Sequence, residues 1–155
     1  MVGVSGVDWS ARILPVRVIG RSGGATSDII DGIAWAAGLA VPNVPANANP
    51  ARVINLSIGG PGLCSAAYQD VIDRVRAAGA IVVGAAGNDG ALVVSQPANC
   101  GGVIAVTAHS RSGDNASYAN VGTQVAVSAP GGGCGALALN DLMGANDTWN
   151  MTCAG

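Results

Sequence analysis

Two stretches constrain the fold of this chain more than any others: Val53–Gly60, VINLSIGG, and Ala80–Gly90, AIVVGAAGNDG. In each, a short continuous apolar run passes straight into a glycine-rich turn carrying a polar side chain. Apolar runs without alternation are strands buried on both faces, as in parallel sheets covered by helices. Parallel neighbours need long crossovers, usually helical, and the intervening residues supply them. Thr26 or Ser27 caps a helix in which Ile29, Ile30, Ile33, Ala36 and Ala37 recur at the helical period, ended by Gly38 and Pro42. Ser65–Ala78 forms a second, with Tyr68, Val71, Ile72 and Val75 on one face and Gly79 as its stop.

Three further runs read as strands: Arg12–Ile19 (RILPVRVI), Gly102–Ala108 (GVIAVTA) and Val121–Ser128 (VGTQVAVS). Between the first helix and Val53, VPNVPANANP reads as a surface excursion, and Gly135–Gly155 as an irregular tail. The expected fold is therefore α/β, a mostly parallel sheet with helices on both faces, in a single domain spanning 1–155.

Composition narrows the partners. The chain has 155 residues, 50 % apolar and 10 % charged, with no Phe; every cation is Arg and every anion Asp. Its core must be Val, Ile, Ala and Leu packed around 24 glycines. A net charge of −2 with scattered arginines offers no basic patch, which argues against nucleic acid. Apolar runs such as Ala80–Ala86 are too short to span a bilayer, so no membrane partner is expected. The start, MVGVSG, lacks the basic residues and apolar block of a signal peptide. Cys64, Cys100, Cys134 and Cys153 allow three pairings, of which Cys64–Cys100 with Cys134–Cys153 would staple successive loops. Four reduced thiols are the alternative, whereas disulfides point to an exported protein. A single His cannot complete an ordinary zinc site.

In parallel α/β sheets ligands sit beyond the carboxyl ends of the strands, where both signature turns fall. Asn88 is the residue of interest: its amide can donate to charge developing on a substrate, or it can simply be a turn residue beside Gly87 and Gly90. No nucleophile with a base accompanies it. His109 lies in HSRSGD with Ser110, Ser112 and Asp114, which a solvated turn explains better than a triad, since triad members must converge on a pre-organised hole. Asp28 with Asp31, and Asp70 with Asp73 beside Arg74, read as solvated helix faces, and Asp89 as a turn cap. Asp141, Asn146 and Asp147 could offer oxygens to a divalent cation, but their spacing matches no known loop; the expectation is no cofactor and no metal.

RILPVRVIG, SDIIDGIAWA, VINLSIGGPG, AGAIVVGAAGNDG, GVIAVTA, ASYANVG and VAVSAPG occur in the order and spacing of the subtilisin-like serine proteases, which the chain resembles from about Val2 to Gly155. The proline- and asparagine-rich insert and the cysteines are similar to the secreted bacterial branch, so the resemblance implies secretion. It also implies that Asn88 is the side-chain donor of the oxyanion hole. Ser57, Ile58 and Gly59 would form one wall of the primary specificity pocket, and Ala85, Ala86 and Gly87 the other. Gly23 and Gly24 would be the edge that pairs with an extended peptide substrate, and Ile19, Ile29 and Ile58 a second apolar subsite. The family's catalytic Asp and His belong upstream of Arg12, the surroundings of Asp8 do not match its aspartate motif, and its nucleophile belongs beyond Gly155. The expectation is an incomplete subtilisin-like fold, a central fragment that keeps cradle and donor without the triad and is not proteolytic alone. With an uncovered sheet face and an open edge it should self-associate as a homo-oligomer. Two other readings stay open: a hydrolase of activated esters or phosphoesters using a metal or an interface site, and a non-catalytic complementing fragment.

Overall fold

The computed structural model describes residues 8–110 and 112–132. Two helices and four strands follow one another along the chain: α1 (Thr26–Ala36), β1 (Val53–Leu56), α2 (Ala66–Ala77), β2 (Ile81–Ala85), β3 (Val103–His109) and β4 (Val125–Pro130). The strands form one sheet in the order β1-β2-β3-β4, every pair parallel. Register sets Leu56 beside Gly84 and Ala85 beside Val106. The carboxyl ends of β1 and β2 are therefore neighbours.

Local chemistry explains where each helix begins and ends. Ser65 caps α2, its side chain accepting from the Tyr68 amide at 3.3 Å. At its far end Gly79 adopts φ +90°, which lets the amides of Gly79 and Ala80 reach the carbonyls of Arg76 and Val75. Helix α1 ends in the same way, with Gly38 at φ +84° and bonds from Gly38 to Trp35 and from Leu39 to Ala34. Its start departs from expectation: the cap is Ala25, with no side-chain bond, and Thr26 and Ser27 lie inside the helix. The excursion after α1 is tied down. Asn47 Nδ2 donates to the carbonyls of Trp35 and Ala36 at 2.9 and 3.2 Å, and Trp35 Nε1 donates to Pro45 O at 2.7 Å.

The main core joins α1, α2, β1 and β2. Val71, Ile72, Val75 and Val82 are fully buried beside Ile33, Ile54, Leu56 and Tyr68. Burying each such aliphatic side chain is worth about 1.5–3 kcal/mol. A second, smaller cluster under β3 gathers Ala86, Val94, Ala98 and Ala105. On the other face of the sheet, Val53, Ile81, Ile104 and Val127 lie 58, 50, 38 and 49 % exposed. Among the described residues no helix covers them.

Two expected strands differ. Arg12–Ile19 belongs to no ladder. Strand identity needs a partner backbone, and this segment lies instead across α1, where Gly32 has no Cβ to obstruct Val18. Between it and β1 runs a groove of about 1060 Å³, lined by Leu14, Val16 and Val18 on one side and Val53, Ile54 and Leu56 on the other. The last strand starts at Val125, not Val121, because Asn120 and Val121 bond to the turn after β2. Cys64 and Cys100 form a disulfide with Cα atoms 5.0 Å apart. Cys134, Cys153, Asp141, Asn146, Asp147 and the tail lie outside the described residues. No described helix is long and apolar enough to cross a membrane.

Candidate functional site

The two signature turns stand side by side at the carboxyl edge of the sheet. Ser57–Gly59 leaves β1, where Asn55 Nδ2 donates to Ser57 Oγ at 2.9 Å. Ala85 closes β2, and Ala86 continues its line by donating to Val106 O at 2.9 Å. A Cβ on Gly59 would sit 3.3 Å from Ser95 Cβ, and one on Gly87 would sit 2.6 Å from Ser95 Oγ. Ser95 therefore lies close to both turns. Its backbone amide donates a hydrogen bond to Ala86 O at 2.8 Å, which holds it there.

The chain from Ser95 to Cys100 is fastened to the first wall's loop. Gly60 and Gln96 form an antiparallel bridge. Gln96 Nε2 donates to Pro61 O and Asn99 Nδ2 to Gly62 O, each at 2.9 Å. The Cys64–Cys100 disulfide closes the same loop. The loop after Gly59 and the Ser95–Cys100 segment are thus cross-linked by backbone, side-chain and covalent ties.

Asn88 is exposed at the tip of the second turn. Its neighbours are not free. Gly87, at φ +116°, accepts from the backbone amide of Asn120, and the Asp89 amide donates to Asn120 Oδ1 at 2.8 Å. Asn120 is 1 % exposed and Thr107 Oγ1 donates to its carbonyl at 2.6 Å. Asp89 accepts from Asn120 Nδ2 at 3.3 Å, which makes it part of the turn's own scaffold. Among the described residues the Asn88 carboxamide has no hydrogen-bond partner, so its donor is available to a ligand.

The remaining candidates separate. Gly23 and Gly24 lie in an exposed turn before α1, where Gly20 and Gly23 bond to each other, and no hydrogen bond among the described residues joins that turn to either wall. Ile29 and Ile58 line the same groove beside β1, while Ile19 stands outside it, 42 % exposed. His109 Nδ1 lies 2.8 Å from the carbonyl oxygen of Ser110. The Ser110 and Ser112 hydroxyls bond to each other at 2.7 Å, and Ser112 donates to Asp114 at 2.8 Å. Among the described residues of that loop no seryl oxygen is paired with the imidazole. Asp70 pairs with Arg74 and Asp73 with Arg76 on the exposed face of α2. No group of three or more His, Cys, Asp or Glu among the described residues is arranged to hold a metal.

Sequence reasoning passed over Ser95 and Asn120. Neither sits in a glycine-rich motif, and Asn120 lies 31 residues from the Asp89 amide it holds. The available signal was a polar residue set among Ala119, Val121 and Gly122 just before a strand.

The chain is 53 % identical over 130 residues to an extracellular protease of Xanthomonas campestris pv. campestris, covering 83 % of this chain and 22 % of that protein. It is 44 % identical over 131 residues to an extracellular basic protease of Dichelobacter nodosus, covering 84 % and 22 %. The structure of a protease from Pseudoalteromonas arctica superimposes with a TM-score of 0.79 at 48 % identity, covering 82 % of this chain and 38 % of that one. The chain thus spans about a fifth of the length of these two curated relatives. The subtilase family model (Peptidase_S8) matches residues 1–154. A parallel sheet ending in two adjoining glycine-rich walls, together with that match over nearly every residue, establishes that the chain belongs to the subtilase family.

Proposed function

We propose that this chain forms the substrate cradle of a secreted subtilisin-like endopeptidase: an extended peptide between the Ser57–Gly59 and Ala85–Gly87 walls, with Asn88 donating to the scissile carbonyl oxygen as it becomes an oxyanion. The observation that carries this reading is the turn after β2, whose backbone is bonded on both sides of Asn88 while the Asn88 carboxamide stands exposed. A donor held in advance stabilises developing charge without reorganising at the moment of reaction. For subtilisins, loss of the side-chain donor is known to lower turnover about 10²–10³-fold. Extracellular proteases among the relatives support the secreted setting.

The chain by itself does not hydrolyse peptides on this reading. Nucleophilic attack needs a hydroxyl whose proton passes to a base within hydrogen-bond reach, and the one His of the chain is engaged with a backbone carbonyl. Incubation of the purified chain with casein and a chromogenic peptide is the test. No turnover above a heat-treated control is expected, and turnover abolished by a serine-directed reagent would overturn the reading.

A second reading concerns association. The exposed row Val53, Ile81, Ile104 and Val127 supports self-association of the isolated chain through this sheet face.

A further inference from the structure

We propose that Asn120 is the positioning residue of the Asn88 turn and sets where the Asn88 amide stands. The proposal rests on the reading of Asn88 as an oxyanion donor. Asn120 spends all of its side-chain bonding capacity on this segment: Oδ1 accepts from the amides of Asp89 and Ala91 at 2.8 and 3.0 Å, and Nδ2 donates to Asp89 Oδ2 and Ser95 Oγ, both at 3.3 Å. Its backbone amide donates to Gly87 O at 3.0 Å. The carbonyl just before Asn88 and the amide just after it therefore end on one residue. Ser95 is joined to the same side chain, so Ser95 and the donor turn share one anchor.

The anchor is rigid in turn. Asn120 is buried, and the Thr107 hydroxyl on β3 donates to its carbonyl at 2.6 Å. Gly87 completes the unit, since a Cβ there would overlap the Asn120 carboxamide. A donor acts on a transition state only while it is held within a few tenths of an ångström of its place. Asn120 is the group that supplies that constraint here, and it does so without touching the substrate.

The roles of its two side-chain ends differ, which makes the proposal testable by exchange of partners. Asn120→Asp keeps the acceptor for Asp89 and Ala91 but replaces the donor and sets a second carboxylate against Asp89. Adding Asp89→Asn restores a donor and an acceptor with their places exchanged and leaves the charge of the pair unchanged. The experiment uses the purified chain and two NMR readouts: hydrogen exchange at the Asp89 and Ala91 amides, and the side-chain amide signals of Asn88 during titration with an N-acetyl tripeptide bearing a free carboxylate.

In Asn120→Ala and Asn120→Asp, exchange at Asp89 and Ala91 should accelerate about tenfold or more while the amides of α2 stay protected, and the peptide midpoint should rise by about the same factor. Asp89→Asn combined with Asn120→Asp should return both readouts close to the native values. Exchange that is unchanged in the single variants, or lost protection that the double variant fails to restore, overturns the proposal: a side chain that merely fills space would tolerate the near-isosteric Asp. Where Asn120→Ala does not fold, the Asp single and double variants carry the comparison. A native chain whose Asn88 signals ignore the peptide refutes the substrate reading, while exchange and its rescue still decide the part played by Asn120.

Discussion

Gly60 and Gln96 exchange both of their backbone hydrogen bonds, each at 3.0 Å, and so lock the loop after the first pocket wall to the segment that carries Ser95. The Cys64–Cys100 disulfide closes the same connection over a sequence separation of 36 residues. A loop of that size restricts the unfolded chain substantially. Replacing both cysteines by Ala should cost about 2–4 kcal/mol, read as a lower midpoint in denaturant unfolding. An unchanged midpoint would show that the backbone bridge alone holds the loop.

Gly87 has two reasons to be glycine: φ of +116° and the Asn120 carboxamide in the space a Cβ would take. Gly87→Ala should destabilise by more than about 1–2 kcal/mol, the cost of left-handed backbone alone for an L-residue. The Asn88 and Ser95 signals should shift together, because Asn120 bonds to the residues on either side of Asn88 and to Ser95 Oγ. Shifts confined to Gly87 itself would contradict this coupling.

The main core admits little relaxation at Ile72, which is fully buried between α2 and its neighbours. Ile72→Ala should cost about 2–5 kcal/mol by lost burial and the cavity left behind. Leu63→Ala, at a side chain 83 % exposed, should stay within about 0.5 kcal/mol. Thermal or denaturant unfolding of the two variants in parallel checks the contrast.

Alkaline pH should lower the stability of the chain through its tyrosines. Burial pushes the Tyr68 phenol above 10.0, with the Thr26 side-chain bond pulling partly back, and burial likewise raises Tyr118. Below 10.0 the phenol is protonated in both folded and unfolded states, and its contribution is intact. As pH climbs further, the unfolded chain releases the proton first, so stability falls through the raised folded pKa. Denaturant midpoints should fall as pH rises past 10.0, with a shallower fall in Tyr68→Phe. An equal slope in that variant would assign the decline elsewhere.

Association through the bare sheet face predicts that Ile81→Asp lowers the apparent size of the isolated chain. Ile81 is half-exposed at the centre of that row, between Val53 and β3. Size-exclusion with light scattering checks it. A native chain that runs as a monomer at all concentrations tested would end the self-association reading.

Much of the fold was legible in the order of residues because its signals are local. Val53–Leu56 and Ile81–Ala85 are strands within the bounds read from their apolar runs, and Tyr68, Val71, Ile72 and Val75 form the buried face of α2 as their spacing requires. Glycines 38 and 79 end their helices because a left-handed residue is needed there. The two glycine-rich turns were legible too, at the ends of β1 and β2. Cys64 with Cys100 was the pairing favoured among those open to four cysteines, and the fold brings the two loops together to form it.

What only the tertiary structure decided depends on groups distant in sequence. An apolar β-branched segment such as Arg12–Ile19 has strand propensity, but pairing is a property of two backbones, and the described chain gives it none. Nothing local tells what Ser95 and Asn120 bond to, since a polar side chain becomes an anchor only when folding surrounds it with matching donors and acceptors. Sequence thus determined which segments become strands, helices and tight turns, through periodicity and backbone freedom. Three-dimensional packing determined that Asn120 bonds to the residues on either side of Asn88, because a hydrogen bond between residues remote along the chain exists only once folding has brought them within about 3 Å.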